Sequence, residues 1–363
     1  MNKNNYCIIM AGGVGSRFWP MSRISKPKQF LDVLGIGQSL IQMTYERFKK
    51  ICPESNIYIV TNNVYKDLVL QQLSGIDEEN IITEPARRNT APCITYANFK
   101  IMSKNPDANI IVAPSDHVIL NEKEFIRIVS KALEITKEND VLVTLGIKPS
   151  YPNTGYGYIQ YDKGDFIPKD NDIKKVKLFT EKPDLQMAKM FIQSGDFLWN
   201  AGIFIWSLQS INKALCNYLP EVYNIFLEGK DNYNTDKEEA FINEAYTSCP
   251  AISIDYGVME KAGNVYVIPS DFDWSDVGTW NALYKIREKD SNSNSIVGKN
   301  VMTYDTKNSI INVPKDKLVV LQGLDGYIVV ESGDILMVCK KEEEQRVKQF
   351  LTDVEVSKGI EYL

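Results

Sequence analysis

Residues 6–19 read YCIIMAGGVGSRFW, and residues 20–30 continue PMSRISKPKQF. The run Tyr6–Met10 is apolar throughout, the pattern of a strand covered on both faces. It ends in a glycine loop, and that loop decides between nucleotide-binding folds. A dinucleotide fingerprint needs G-x-G-x-x-G, but Gly13-Val-Gly15-Ser-Arg17-Phe18 puts Phe18 where the third glycine belongs. A Walker A loop needs G-K-[ST] five residues after its first glycine, and Arg17 stands there instead. What remains is a strand, then A-G-G-x-G-x-R-x-x-P from Ala11 to Pro20, then K-P-K-Q-F. Glycine after a strand lets backbone N–H groups approach phosphate oxygens, and Arg17 and Lys28 add charge-assisted bonds to the same anion. A lone GGxG is equally an ordinary turn. Two basic clusters downstream of it favour the phosphate cradle.

Charge placement agrees. The 363-residue chain has net charge −6, which argues against a general nucleic-acid binder. Residues 1–50 nevertheless hold eight Lys/Arg against Asp32 and Glu46, leaving +6 there and −12 on the other 313 residues. Local positive charge on an acidic protein suits a small polyanionic ligand. Six scattered cysteines without a CxxC pair make disulfide scaffolds and zinc sites poor readings and suit reduced thiols in the cytoplasm. No stretch approaches the roughly 18 apolar residues of a membrane span.

Outward from the loop, the first 290 residues alternate β-branched runs with amphipathic segments. Asn56–Thr61, Asn109–Ala113, Val141–Leu145 and Val265–Ile268 read as further strands. Ser39-Leu-Ile-Gln42 is a capping box that opens a helix, and Phe125–Ile135 repeats the helical pattern. Alternation of this kind predicts an α/β domain, Rossmann-like, with a mostly parallel sheet flanked by helices. A polar stretch, Asp290–Asn294, reads as a linker. Beyond it short strands at Ser295–Val297, Ser309–Val313, Lys317–Leu321, Tyr327–Glu331 and Ile335–Cys339 suggest a small β domain over 291–363, β-helix-like with a few coils, closed by a charged helix from about Lys341 to Leu351.

Seven blocks together carry a family resemblance: AGGVGSRFWPMSRISKPKQF (11–30), EPARRNTAP (84–92), APSDH (113–117), TGYGYI (154–159), FTEKP (179–183), WNAGIF (199–204) and DWSDVGTW (273–280). In this order they resemble the sugar-nucleotide nucleotidyltransferases, a glycosyltransferase-A-like fold, and among them the mannose-1-phosphate guanylyltransferases. The resemblance implies attack by mannose 1-phosphate on the α-phosphate of GTP, giving GDP-mannose and pyrophosphate. It implies nucleotide contacts from Ala11, Gly12, Gly13, Gly15, Ser16, Arg17, Lys28, Glu84, Arg88, Asn89, Thr90, Ser115 and Asp116. It implies sugar-phosphate contacts from Tyr156, Gly157, Glu181, Lys182, Asn200 and Gly202, and one Mg²⁺ held by Asp116 and Asp276. On this resemblance Arg17, Lys28, Asp116 and Asp276 are the expected catalytic set.

The residues bear on this chemistry independently. All three reactant groups are anions, so positioning and positive charge carry such a reaction and no covalent nucleophile is needed. The single histidine, His117, is too few for a histidine dyad and suits a supporting place beside Asp116. Asp116 follows the strand Asn109–Ala113, at the carboxyl edge where open α/β sheets present ligands. Two carboxylates plus phosphate oxygens are hard donors of the kind Mg²⁺ takes. A single aspartate after a strand is also a common turn or cap residue, Thr90 could cap the helix beginning at Ala91, and Glu181-Lys182 alone would read as a solvated pair. Trp199, Trp206, Trp274 and Trp280 read as core rather than sugar-stacking residues. Rival readings are another sugar or nucleotide, a nonenzymatic subunit keeping the fold, and a nicotinamide dehydrogenase. The last lacks its third glycine, and a nonenzymatic subunit would be expected to have lost one of the four catalytic residues. Longer relatives carry a cupin-type isomerase domain with metal-binding histidines. With no histidine after His117, a monofunctional chain is the expectation. Exposed strand edges in the β domain would suit a homodimer.

Overall fold

The structure, a computed structural model, describes residues 1–167 and 170–363. Numbered along the chain, the strands are β1 (Asn5–Met10), β2 (Ile57–Asn62), β3 (Ile81–Glu84), β4 (Asn109–Pro114), β5 (Val118–Ile119), β6 (Leu142–Ile147), β7 (Tyr158–Ile167), β8 (Asp170–Thr180), β9 (Phe197–Ser207), β10 (Val265–Ser270), β11 (Trp274–Ser275), β12 (Ser295–Val297), β13 (Asn300–Tyr304), β14 (Ile310–Asn312), β15 (Leu318–Gln322), β16 (Tyr327–Ser332) and β17 (Ile335–Lys340). The α-helices are α1 (Leu40–Phe48), α2 (Lys66–Gln72), α3 (Thr90–Met102), α4 (Glu122–Glu138), α5 (Leu185–Ser194), α6 (Leu208–Tyr218), α7 (Pro220–Glu228), α8 (Glu238–Ser248), α9 (Trp280–Ile286) and α10 (Val347–Lys358).

The chain forms two compact units that do not follow chain order. The first holds Met1–Gly12, Tyr45–Ser115 and Ile119–Trp274, and the second holds Gly13–Thr44, Asp116–Val118 and Ser275–Leu363. In the first unit nine strands form one sheet in the order β3-β2-β1-β4-β9-β6-β10-β8-β7. β1 runs parallel to β2 and β4, β2 to β3, and β6 to β10, as the apolar runs predict. Antiparallel strands interrupt this pattern. β9 lies between β4 and β6, and the β7–β8 hairpin joins the far edge, so the sheet is mixed. Ile8, Val60, Ile110 and Val112 are fully buried in a core that also takes in α3, α6 and Trp206. Because β1 and β4 are parallel neighbours, their carboxyl ends lie together. The chain leaving each of them, Gly13 onward and Asp116–Val118, belongs to the second unit.

The capping box forms as read: Ser39 N donates to Gln42 Oε1 at 2.9 Å, and Gln42 N donates back to Ser39 Oγ at 3.4 Å. In the second unit, β12, β14 and β16 stack in parallel, and β13 pairs in parallel with β15. These are the coils of a small β-helix, with Ile311, Val313 and Val329 buried inside it. The antiparallel strand β17 closes the stack. The supposed linker is a folded turn. Asp290 Oδ1 accepts from Asn292 N and Asn294 N at 2.9 and 2.7 Å, and Asn294 is fully buried. Side-chain to backbone bonding of this kind turns a polar run into structure. The charged terminal helix lies later than expected: Lys341–Arg346 is a 3₁₀ segment, and the α-helix proper is α10. Among the described residues no helix is long and apolar enough to cross a membrane.

Candidate active site

The glycine loop and both candidate aspartates meet in the second unit. Gly15 has φ +72°, and a Cβ there would lie 2.4 Å from Lys28 Cβ, so only glycine fits. The loop is pinned by Lys28 N and Ser22 Oγ, which both donate to Val14 O, at 3.1 and 2.6 Å. Pro27 precedes a single 3₁₀ turn, Lys28–Phe30, that turns the Lys28 side chain inward, where the residue is 3% exposed. Its ammonium stands 2.9 Å from Asp116 Oδ2, donates to Asp276 O at 2.6 Å and lies 5.8 Å from the centre of the Phe18 ring. Burial pushes the Asp116 carboxyl up, but the Lys28 ammonium and then His117 pull it down further, and it ends below the usual carboxylate value. His117 Nε2 is 3.9 Å from Asp116 Oδ1. Asp276 Oδ1 accepts from Gly278 N at 3.0 Å, a bond that fixes its carboxylate.

These groups line a cleft of about 300 Å³ together with Ser16, Arg17 and Lys348. Among the described residues Arg17 Nε is buried without a hydrogen-bond partner. Such an orphaned donor is costly unless a ligand meets it. Ala11 and Ser115 are buried at the strand ends: Ala11 O accepts from Thr61 Oγ1 at 2.9 Å, and Ser115 N donates to Met10 O at 3.0 Å. A Cβ at Gly12 or Gly13 would meet nothing within 4 Å, so backbone there is open to an approaching group.

A second cluster lies in the first unit. A Cβ on Gly157 would come within 2.5 Å of Glu181 Oε2. Glu181 pairs with Lys182, whose φ of +48° is unusual for a side chain of that length. Asn200 Oδ1 accepts from Thr144 Oγ1 at 3.0 Å and from Gly202 N at 3.1 Å, and its Nδ2 donates to Asp255 Oδ1 at 3.0 Å. Burial, and then the nearby Glu181 carboxylate, push the Asp255 carboxyl up to about 7. Tyr156 packs edge-on against Trp199 and Trp274, with ring centres 5.1 and 5.3 Å apart. This wall of aromatics and amides beside two carboxylates has the donors and acceptors that a polyhydroxyl ring needs.

The segment 84–90, also in the first unit, is engaged by protein groups from a distant part of the chain. Glu84 is turned inward, where it accepts from Tyr246 OH at 2.8 Å, and burial pushes its carboxyl up to about 7. Arg88 Nε donates to Tyr246 O at 3.2 Å. The cap of α3 is Asn89, not Thr90. Asn89 at φ +69° accepts from Thr90 N, while Thr90 Oγ1 accepts from Ile254 N at 2.9 Å. Trp206 and Trp280 are fully buried, as core residues.

Asp255 and Lys348 are the members of these clusters that sequence reasoning passed over. The one signal for Asp255 is an acid set inside the largely apolar run Ala251–Met259. Lys348 has no signal among so many charges.

The nucleotidyl transferase family's model matches residues 6–293, and a "MannoseP isomerase/GMP-like beta-helix domain" model matches residues 299–353. The chain is 34% identical over 358 residues to a mannose-1-phosphate guanylyltransferase of Escherichia coli, covering 96% of this chain and 75% of that protein. It is 38% identical over 349 residues to the mannose-1-phosphate guanylyltransferase RfbM of Salmonella typhimurium, covering 95% and 71%. A crystal structure described as a mannose-1-phosphate geranyltransferase from Thermus thermophilus matches with TM-score 0.86 and 29% identity, over 97% of this chain and 99% of that one.

Proposed function

The chain belongs to the nucleotidyl transferase family, and we propose that it transfers the guanylyl group of GTP to mannose 1-phosphate. A phosphate oxygen of the sugar phosphate bonds to the α-phosphorus. The bond from that phosphorus to the α–β bridging oxygen breaks, and the electron pair leaves with pyrophosphate. The observation that carries the reading is Lys28, buried and bonded to both Asp116 and the Asp276 carbonyl, beside Gly15 and the orphaned Arg17. Arg17 and Lys28 meet the negative charge that develops at the α-phosphate and on the leaving group, which is where a fixed cation lowers the barrier. Backbone N–H groups at Gly12, Gly13 and Gly15 and the Ser16 hydroxyl hold the triphosphate.

Asp116 and Asp276 would hold Mg²⁺. Both offer hard oxygen donors, and among the described residues no group of three or more His, Cys, Asp and Glu gathers that could cage an ion alone. That donor set fits an ion completed by substrate phosphates and water, and such an ion supplies charge neutralisation between the anions. The sugar of mannose 1-phosphate fits the cluster of Tyr156, Gly157, Glu181, Asn200 and Gly202, with Lys182 toward its phosphate. Guanine and ribose are assigned to Arg88, Asn89 and Thr90. Glu84 holds the Tyr246 wall of that segment. We assign the reacting groups to residues 1–290 and to 291–363 a supporting part that also lends Lys348 to the cleft wall.

Six unpaired cysteines suit a cytoplasmic enzyme. Exposed Met302, Tyr304, Leu318 and Val320 on β13 and β15 support a homodimer through the β-helix. The experiment is a matrix of four nucleoside triphosphates against mannose, glucose and N-acetylglucosamine 1-phosphates, read as pyrophosphate release. GTP with mannose 1-phosphate should dominate. A preference for a uridine or thymidine nucleotide would overturn the specificity, and no release from any pair would overturn the activity.

A further inference from the structure

The cleft around Lys28 has one wall that the glycine loop and the two aspartates do not supply. Lys348, the second residue of α10, lines it beside Arg17 and Asp116. Its position is not explained by the helix. The positive end of a helix dipole favours acids in the first turn, and α10 has none there. Nor is it explained by pairing, because no ion pair or hydrogen bond engages the Lys348 ammonium among the described residues. Lys28 is buried at 3% exposure and already bonded to Asp116 and Asp276, whereas Lys348 is exposed at the mouth of the same cleft. Counting Arg17, the cleft sets three cations against two carboxylates. Two of those cations have no anion of their own.

The C-terminal segment holds Lys348 there firmly. α10 packs beside Ser16–Phe18, and Phe350, Leu351 and Val354 join the core that contains Phe18 and Trp280. Past α10, the chain end is stitched to the same loop. Trp19 Nε1 donates to Tyr362 O at 2.8 Å, and Ile24 N donates to Leu363 O at 3.1 Å. On the β-helix side Arg23 donates to Ser332 O and Asp334 Oδ1, each at 2.7 Å.

We propose that Lys348 is a binding residue for the pyrophosphate part of the nucleotide, so that the C-terminal helix completes the triphosphate site. The assignment rests on the guanylyl-transfer reading. It follows from depth: the buried Lys28 serves the reacting end, and the exposed Lys348 serves the end that departs to solvent. Such a cation also slows departure of the product, so its loss trades weaker substrate binding for faster release.

Calorimetric titration of pyrophosphate, GTP and GDP-mannose, in magnesium buffer, separates the alternatives on wild type, Lys348→Ala, Lys348→Glu and Lys348→Arg. Lys348→Ala should weaken pyrophosphate and GTP about tenfold, the scale of one screened charge-assisted contact. Lys348→Glu should weaken them further, Lys348→Arg should restore them, and GDP-mannose should stay within about twofold in the alanine and arginine variants. Pyrophosphate affinity unchanged in both the alanine and glutamate variants of an active enzyme would overturn the inference alone. So would a loss of GDP-mannose affinity equal to the loss for pyrophosphate. A wild type that binds no pyrophosphate and turns over no nucleotide would overturn the inference together with the reading beneath it.

Discussion

Replacing Lys28 with methionine removes the charge at the centre of the site and keeps most of the packing. The stem that rests on Gly15 and the Phe18 ring stays, while the contacts at 2.9 Å to Asp116 and 2.6 Å to Asp276 O are lost. Two costs follow, and they have different sizes. Breaking a fully buried pair costs about 3–5 kcal/mol, because the remaining charge is stranded. Here the Asp116 side chain keeps 32% of its exposure, and water screens part of that penalty. The expected loss in folding stability therefore lies between that figure and the about 0.2–1 kcal/mol of an exposed pair. Transition-state charge is screened less, since it develops against a cation fixed in a narrow cleft. Loss of such a donor lowers turnover by about 10²–10³, or roughly 3–4 kcal/mol of barrier. Urea unfolding and steady-state pyrophosphate release read the two costs separately. A folded Lys28→Met protein with kcat within about threefold of wild type would refute the assigned role. Loss of activity accounted for wholly by unfolding would refute it as well.

Asp116→Asn and Asp276→Asn should each abolish the magnesium response of pyrophosphate release, and a response that survives both changes would remove them as the ion's ligands. Gly15→Ala should leave little folded enzyme or little activity, since its Cβ would fall 2.4 Å from Lys28 Cβ at a φ of +72°; unchanged melting and turnover would contradict that packing. Gly157→Ala should raise KM for mannose 1-phosphate and leave KM for GTP near wild type, because the new methyl meets Glu181 and Asn200; the opposite split would misplace the sugar. Asp255 gives a pH dependence. Its folded carboxyl stands at about 7 against an ordinary 3.8, so its contribution to stability is present below 3.8 and is lost as pH rises through about 7. Melting temperature should fall over that window in wild type and fall less in Asp255→Asn; parallel profiles would contradict the shift.

Much of this is legible in the residues, and the omissions have physical causes. β1, β2 and β4 announce themselves because both faces are covered, which makes their central positions a continuous apolar run. The glycine loop can be assigned by elimination, since Phe18 and Arg17 occupy the positions two commoner motifs reserve. β9 mixes Asn200 and glycine with aromatics and runs against its neighbours, so nothing local marks it as a central strand. β8 is rich in charge and reads as surface. Asn300–Tyr304 goes unmarked as a strand because NVMTY holds no continuous apolar run, whereas its partner β15, with the same alternation of exposed and half-buried positions, reads LVVLQ. The grouping of Gly13–Thr44 with the C-terminal residues rests on contacts more than 200 residues apart, such as Arg287 Nε to Val33 O at 2.8 Å. Local periodicity carries no trace of such a contact. Glu84 and Thr90 read as open to ligand because they sit in a polar block. Tyr246 and Ile254, which engage them, arrive from a distant part of the chain.

A single displacement at the α-phosphorus, driven by fixed cations and no covalent intermediate, is tested most directly by its stereochemistry. The substrate is one diastereomer of GTP carrying sulfur at the α-phosphorus, turned over with mannose 1-phosphate. Configuration is read in the thio-nucleotide sugar by phosphorus NMR. Inversion is the predicted result, and retention would mean two displacements through a protein-bound guanylyl group.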